Sequence, residues 1–103
     1  MPVMEISVVP LGTKNASVSK HVAGCLNVLR TEKHIEYELT AMGTIIQADS
    51  LKKLLQIAEK MHSSVFNQEV KRVVTTIKID ERSDKKLTIN GKKYSVNKQI
   101  KNQ

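Results

Sequence analysis

Aromatic residues make up only 3% of the 103 residues, and tryptophan is absent. Ile, Val, Leu and Met must therefore build whatever core forms. Cys25 is the single cysteine, which excludes an internal disulfide. It stands among Val22, Leu26 and Leu29 and reads as a small buried hydrophobe rather than a nucleophile. No apolar run approaches the roughly 20 residues that cross a bilayer. Met1 to Glu5 carry neither a basic start nor a long apolar stretch, so a secretory signal is not expected and a cytoplasmic location is. No internal repeat or low-complexity block occurs. Gly12 to Ser19 lacks the spaced glycines and the Gly-Lys-Ser/Thr end of a phosphate loop. His21, His34 and His62 lie far apart and form no ligand pair, so neither a metal nor a cofactor is expected.

Positive charge is present in excess, with 17 Lys and Arg against 10 Asp and Glu and a net charge of +7. Much of it falls after Arg82, in Lys85, Lys86, Lys92, Lys93, Lys98 and Lys101. That distribution suits a solvated segment, and residues 97–103 read as a basic tail following a domain over 1–96. A nucleic-acid module of this size would stack bases on sheet aromatics. Phe66 is the only Phe, and Tyr37 and Tyr94 form no such pair, so nucleic acid is not the expected partner. The length suits one domain with a modest core, which self-association would enlarge.

Hydropathy alternates along the chain. Met4, Ile6 and Val8 alternate with Glu5 and Ser7, giving a strand that Pro10 and Gly12 stop. Asn15 and Ser17 are helix caps. Val18, Val22, Cys25, Leu26 and Leu29 form the stripe of a helix reaching about Lys33. Ile35, Tyr37 and Leu39 alternate with Glu36, Glu38 and Thr40 in a second strand. Gly43 frees a tight connection to a third strand, Thr44 to Ala48. Asp49 or Ser50 caps a second helix with the stripe Leu51, Leu54, Leu55, Ala58, Met61 and Val65. Val70 to Asp80 is a long β-branched strand. A charged turn, Glu81 to Lys86, and a possible hairpin at Asn90-Gly91 follow.

The order strand, helix, strand, strand, helix, strand is the ferredoxin-like split βαβ pattern. The fold class expected is α+β: a four-stranded antiparallel sheet with two helices on one face. That topology draws Pro10 to Ser19, Thr40 to Thr44, His62 to Phe66 and Lys71-Arg72 to one rim, and puts Asp80 to Arg82 at the other, near Gln47 and Asp49. The uncovered face receives Glu5, Ser7, Val9, Glu36, Glu38 and Thr40. Strand four offers it either Arg72, Val74, Thr76 and Lys78 or the alternate apolar set. An open face on so small a domain suits another subunit, with a polar ligand lodged between them. Glu36 and Glu38 stand about 7 Å apart on one strand face and suit a cationic ligand without any shifted pKa.

Val8-Val9-Pro10-Leu11-Gly12-Thr13, Ser17-Val18-Ser19, Met42-Gly43-Thr44-Ile45-Ile46, His62, Phe66 and the stretch Lys71 to Arg82 occur in an order and spacing that resemble the small thiamine-binding proteins, over roughly Met4 to Val96. The resemblance implies a ferredoxin-like fold, homodimers built through the sheets, and homotetramers as pairs of dimers. It also implies a non-catalytic carrier or sensor that binds thiamine, or its pyrimidine part, near a subunit interface. An enzyme of thiamine or pyrimidine metabolism is the alternative, and a nucleic-acid-binding module a further one. Glu5 or Glu38 would then stabilise the thiazolium cation. Ser7, Thr40 and Thr44 would hydrogen-bond the pyrimidine, Met42 would pack on a ring, and Gly43 completes the ligand-binding set. The chain departs from the family pattern at Gln47, where many relatives carry glutamate, and after Lys92.

Overall fold

The structure, a computed structural model, describes residues 1–12, 19–66, 69–86 and 88–101. Its elements are β1 (Val3–Leu11), α1 (Ser19–Arg30), β2 (Glu36–Thr40), β3 (Gly43–Gln47), α2 (Leu51–Val65), β4 (Arg72–Asp80) and α3 (Ile89–Lys101). The strands form one antiparallel sheet in the order β2-β3-β1-β4. This is the expected ferredoxin-like α+β arrangement, with α1 and α2 on one face and a third helix added. The expected caps Asn15 and Ser17 lie outside the described residues.

Alternation decides the faces. Met4 and Ile6 of β1 are buried, as is their β3 neighbour Ile46. They meet Cys25 and Leu29 of α1 and Leu54, Ile57, Met61 and Val65 of α2 in one core, to which Val8 and Val73 add partly buried contacts. Each of the larger side chains contributes roughly 1.5–3 kcal/mol by leaving water. Ile6 pairs with Ile77 and Ser7 with Thr76, which settles the phase of β4. Arg72, Val74, Thr76, Lys78 and Asp80 share the opposite face with Glu5, Ser7 and Val9. Asp80 and Gln47 flank Val3 from its two sides, at the rim expected for them.

Two expectations need correction. In α2 the buried stripe is Leu54, Ile57, Ala58, Met61 and Val65. Leu51 and Leu55 are 40% and 49% exposed, because including Ile57 turns the stripe away from them. The Asn90-Gly91 pair lies in the first turn of α3 rather than in a hairpin. The Thr88 hydroxyl accepts the Gly91 N–H at 2.9 Å, and the Lys92 N–H donates to the Thr88 carbonyl at 3.1 Å. That is N-cap chemistry, and it wins over the local turn preference because Ile89 buries itself against Val3 and Ile45. The start of α3 therefore covers one end of the otherwise open face. Ser50 caps α2 as expected, its hydroxyl accepting the Lys53 N–H at 3.1 Å. Glu32, beyond α1, ties that helix to α2 through Lys53 and Lys60 at 2.6 and 2.7 Å.

Candidate functional site

Strands β1 and β3 differ in length, and that difference makes the site. β1 has nine residues and β3 five, and their pairing stops at Ile6 opposite Thr44. From Ser7 onward β1 keeps β4 on one side only among the described residues. The vacated place beside it is a notch of about 740 Å³. β1 from Ile6 to Val9 forms one wall, α1 with Val22, Ala23, Cys25 and Leu26 a second, and the β2–β3 connection from Leu39 to Thr44 a third, with Met61 also lining it. The rim expected to gather the end of β1, Thr40 to Thr44 and the end of α2 is thus where the cavity lies; Thr13 to Val18 lie outside the described residues.

The β2–β3 connection is held shut by its own polar groups. The Thr40 hydroxyl donates to the Gly43 carbonyl at 2.8 Å and accepts the Met42 N–H at 3.2 Å. Met42 is left 84% exposed at the notch. A Cβ on Gly43 would sit 3.0 Å from the Ile6 carbonyl oxygen, so a larger residue would push the two strands apart by a few tenths of an ångström. The same contact shows that Ile6 turns its backbone groups towards β3. Two residues on, strand alternation turns the N–H and C=O of Val8 the same way, into the notch. The Ser7 hydroxyl has no hydrogen-bond partner among the described residues.

Five of the seven expected site residues, Ser7, Thr40, Met42, Gly43 and Thr44, meet at this notch. Thr44 is buried and lies on the helix side of the sheet, with Ile6 and Leu39 as its neighbours. Glu5 and Glu38 stand one row further along the open face, flanking Ile45. Glu38 accepts an ion pair from Lys93 at 2.8 Å, and Glu5 lies opposite Lys78. They line smaller cavities of about 510 and 520 Å³ beside α3.

Other candidate groups have structural employment. The Cys25 thiol is buried, donates to the Met61 carbonyl at 3.5 Å and lies 3.8 Å from the Ser64 hydroxyl. Burial pushes its pKa up, so it stays a protonated thiol. His62 Nδ1 shares a 2.6 Å hydrogen bond with the Thr75 hydroxyl, and its ring meets Phe66 edge-on at 5.4 Å. Among the described residues no three His, Cys, Asp or Glu side chains gather as metal ligands, and no helix is long and apolar enough to cross a membrane. The Arg82 guanidinium binds Asp84 through two bonds of 2.9 and 2.6 Å, which makes the charged run after β4 a self-paired turn.

The chain matches the family model described as thiamine-binding protein over residues 4–97. It belongs to the thiamine-binding protein family. A UPF0045 protein of Bacillus subtilis, YqgV, is 37% identical over 103 residues, spanning 97% of this chain and 98% of the relative. The crystal structure of a hypothetical protein from Methanocaldococcus jannaschii superposes with a TM-score of 0.84 at 41% identity, covering 93% of this chain and 95% of that one. A Thermotoga maritima protein provisionally assigned to thiamine biosynthesis or salvage gives 0.76 at 17% identity over 92% and 97% of the two chains, which bears on the fold alone. In this thiamine-binding family member the matched span includes every residue around the notch.

The α1 wall was missed in the sequence because Val22 and Leu26 read as core. They are only partly buried, since α1 overhangs the place that β3 vacates. Gln47 was noted only as a departure from a family glutamate. In the structure it is buried, and its Oε1 accepts the Ile89 N–H at 3.0 Å, anchoring α3 to the sheet. Gln47→Ala leaves that buried donor unpaired. It is expected to cost about 1–3 kcal/mol in urea unfolding and to speed proteolysis within α3 before the core opens.

Proposed function

We propose that this protein binds thiamine or a related pyrimidine-containing small molecule in the notch beside Ser7, as a non-catalytic carrier or sensor. The observation that carries the reading is the Ser7 hydroxyl, unpartnered among the described residues, on the wall of a largely apolar notch in a chain of the thiamine-binding family. Its volume lies in the range of small-molecule sites.

The chemistry matches an aminopyrimidine. Such a ring presents a donor and an acceptor side by side. The edge of Val8 that no strand covers among the described residues offers the complementary acceptor and donor, and Ser7 adds a hydroxyl. The Met42 thioether packs on the ring face. The Thr40 hydroxyl spends its proton on Gly43, so it serves the ligand by shaping the connection and through a remaining lone pair. Glu5 and Glu38 lie about 7 Å from Ser7 and Thr40 along their strands, within reach of the thiazolium cation of a ligand whose pyrimidine fills the notch. Glu38 would exchange Lys93 for that cation. The protonated, buried Cys25 supports binding rather than turnover. Exposed Val9, Leu11 and Val74 on the uncovered side of the sheet support a homodimer or homotetramer with the ligand near the contact.

Titration calorimetry tests this. Ser7→Ala is expected to weaken thiamine binding about fivefold to tenfold, as for one neutral hydrogen bond. Glu38→Ala should weaken thiamine but leave an uncharged aminopyrimidine unaffected. Equal thiamine affinity in wild type and Glu38→Ala removes Glu38 from the site, and no heat with wild-type protein contradicts the reading.

A further inference from the structure

The open face carries more charge than a cationic ligand needs. One row across the sheet, next after Ser7 towards the start of β1, reads Glu38, Ile45, Glu5, Lys78. The following row contains Val3 and Asp80, and the start of α3 lies over it. The cavity of about 510 Å³ opens there, on an apolar floor of Val3, Ile45 and Ile89. Its charged lining has both signs: Glu5 and Asp80 with Lys78, Lys92 and Lys93. Lys92 is bound to Asp80. Lys93 is bound at 2.8 Å to Glu38, which lines the adjoining cavity. Lys78 and Glu5 form no ion pair among the described residues. A simple anion in this cavity would meet the two carboxylates. A simple cation that takes Glu38 would leave the Lys93 ammonium beside a second positive charge. Only a ligand that carries both signs leaves every group with a counter-ion.

We propose that the preferred ligand is a phosphate ester of the thiamine type, its phosphate held by Lys78 and Lys93 in the cavity beside α3. The inference rests on the reading above, in which the pyrimidine fills the notch and the thiazolium lies at Glu5 and Glu38. Such an ester carries a pyrimidine, a thiazolium and an ethyl arm ending in phosphate, in that order. The open face presents Ser7, then Glu5 and Glu38, then the lysine-lined cavity, in the same order. Ser7 to Val3 spans about 13–14 Å along β1, which gives the three groups room end to end. The exchange of partners balances charge. The thiazolium takes Glu38 from Lys93. The phosphate, which carries about −1.5 to −2 at pH 7, then gives the released Lys93 and the solitary Lys78 a counter-ion. Lys92 stays on Asp80 and separates that carboxylate from the phosphate. Ammonium-to-phosphate hydrogen bonds are charge-assisted, hence stronger than neutral ones. The step is binding alone, and no bond of the ester breaks.

Titration calorimetry with thiamine and with thiamine monophosphate tests this on the wild type and two variants. The wild type is expected to bind the monophosphate about tenfold more tightly than thiamine, with the advantage shrinking as salt is raised. Lys78→Met should narrow the ratio of the two affinities to about threefold or less. Lys93→Met should move the two ligands in opposite directions. Thiamine binding strengthens about twofold to fivefold, because Glu38 loses its resident partner, while monophosphate binding weakens about threefold or more. A purely structural role for Lys93 would move both ligands together. Lys78 and Lys93 are exposed, so both variants are expected to fold, and a thermal melt checks it. Monophosphate that binds wild-type protein no more tightly than thiamine overturns the inference and leaves the thiamine reading standing. So does a Lys93→Met variant in which both ligands shift alike. Absence of binding by either compound removes the thiamine reading, and this inference with it.

Discussion

Met61→Ala is expected to unfold about 3 kcal/mol more easily than the wild type, within the 2–5 kcal/mol typical of removing a large buried aliphatic side chain. Met61 is 1% exposed, sits in the core shared by α1, α2 and the sheet, and lines the notch. Its backbone carbonyl, which accepts from the Cys25 thiol and from the Ser64 hydroxyl at 2.7 Å, survives the substitution. The loss therefore isolates packing from hydrogen bonding. For a domain whose whole stability is of order 5–15 kcal/mol, it is a large fraction. Urea unfolding followed by circular dichroism measures it, with the denaturant slope unchanged. A loss below about 1 kcal/mol would mean that α2 does not press on the sheet as described.

The second large effect concerns binding. Ala23→Trp is expected to weaken thiamine binding a hundredfold or more while changing stability by less than about 1 kcal/mol. Ala23 is exposed on α1 and lines the notch. An indole there occupies space the ligand needs without displacing a core residue. The variant also tells apart two places on the molecule. A ligand held beside α3 by Glu5, Lys78 and Asp80 would keep its affinity, because that cavity shares no lining residue with the notch. Calorimetry and a thermal melt on the same preparation supply both numbers.

Much of this geometry was legible from spacing. Alternation in β1 and β2 assigns Glu5, Ser7, Glu38 and Thr40 to one face, and they share it. The order of elements brings the end of β1 to the β2–β3 connection, and the notch is there. What was not legible depended on contacts distant in sequence. β-Branched residues fall in both alternating sets of β4, Val74 and Thr76 in one and Val73, Thr75, Ile77 and Ile79 in the other, and its pairing with Ile6 and Ser7 fixes which set faces the helices. Asn90-Gly91 carries a local turn preference, and the burial of Ile89 against Val3 overrides it. The carboxylate of Glu38 was visible, but not its engagement by Lys93, which needs α3 to fold back over the sheet. Leu51 and Leu55 fit a helical stripe as well as Ile57 does, and only packing against α1, β1 and β4 chooses between them.

Titrating thiamine into isotope-labelled protein and following the amide resonances reports where the ligand sits. The account predicts saturable shifts concentrated at Ser7 to Val9, Val22 to Leu26 and Ala41 to Thr44. Shifts confined to Lys78, Ile89 and Lys92-Lys93, or no saturable shift at all, would contradict it.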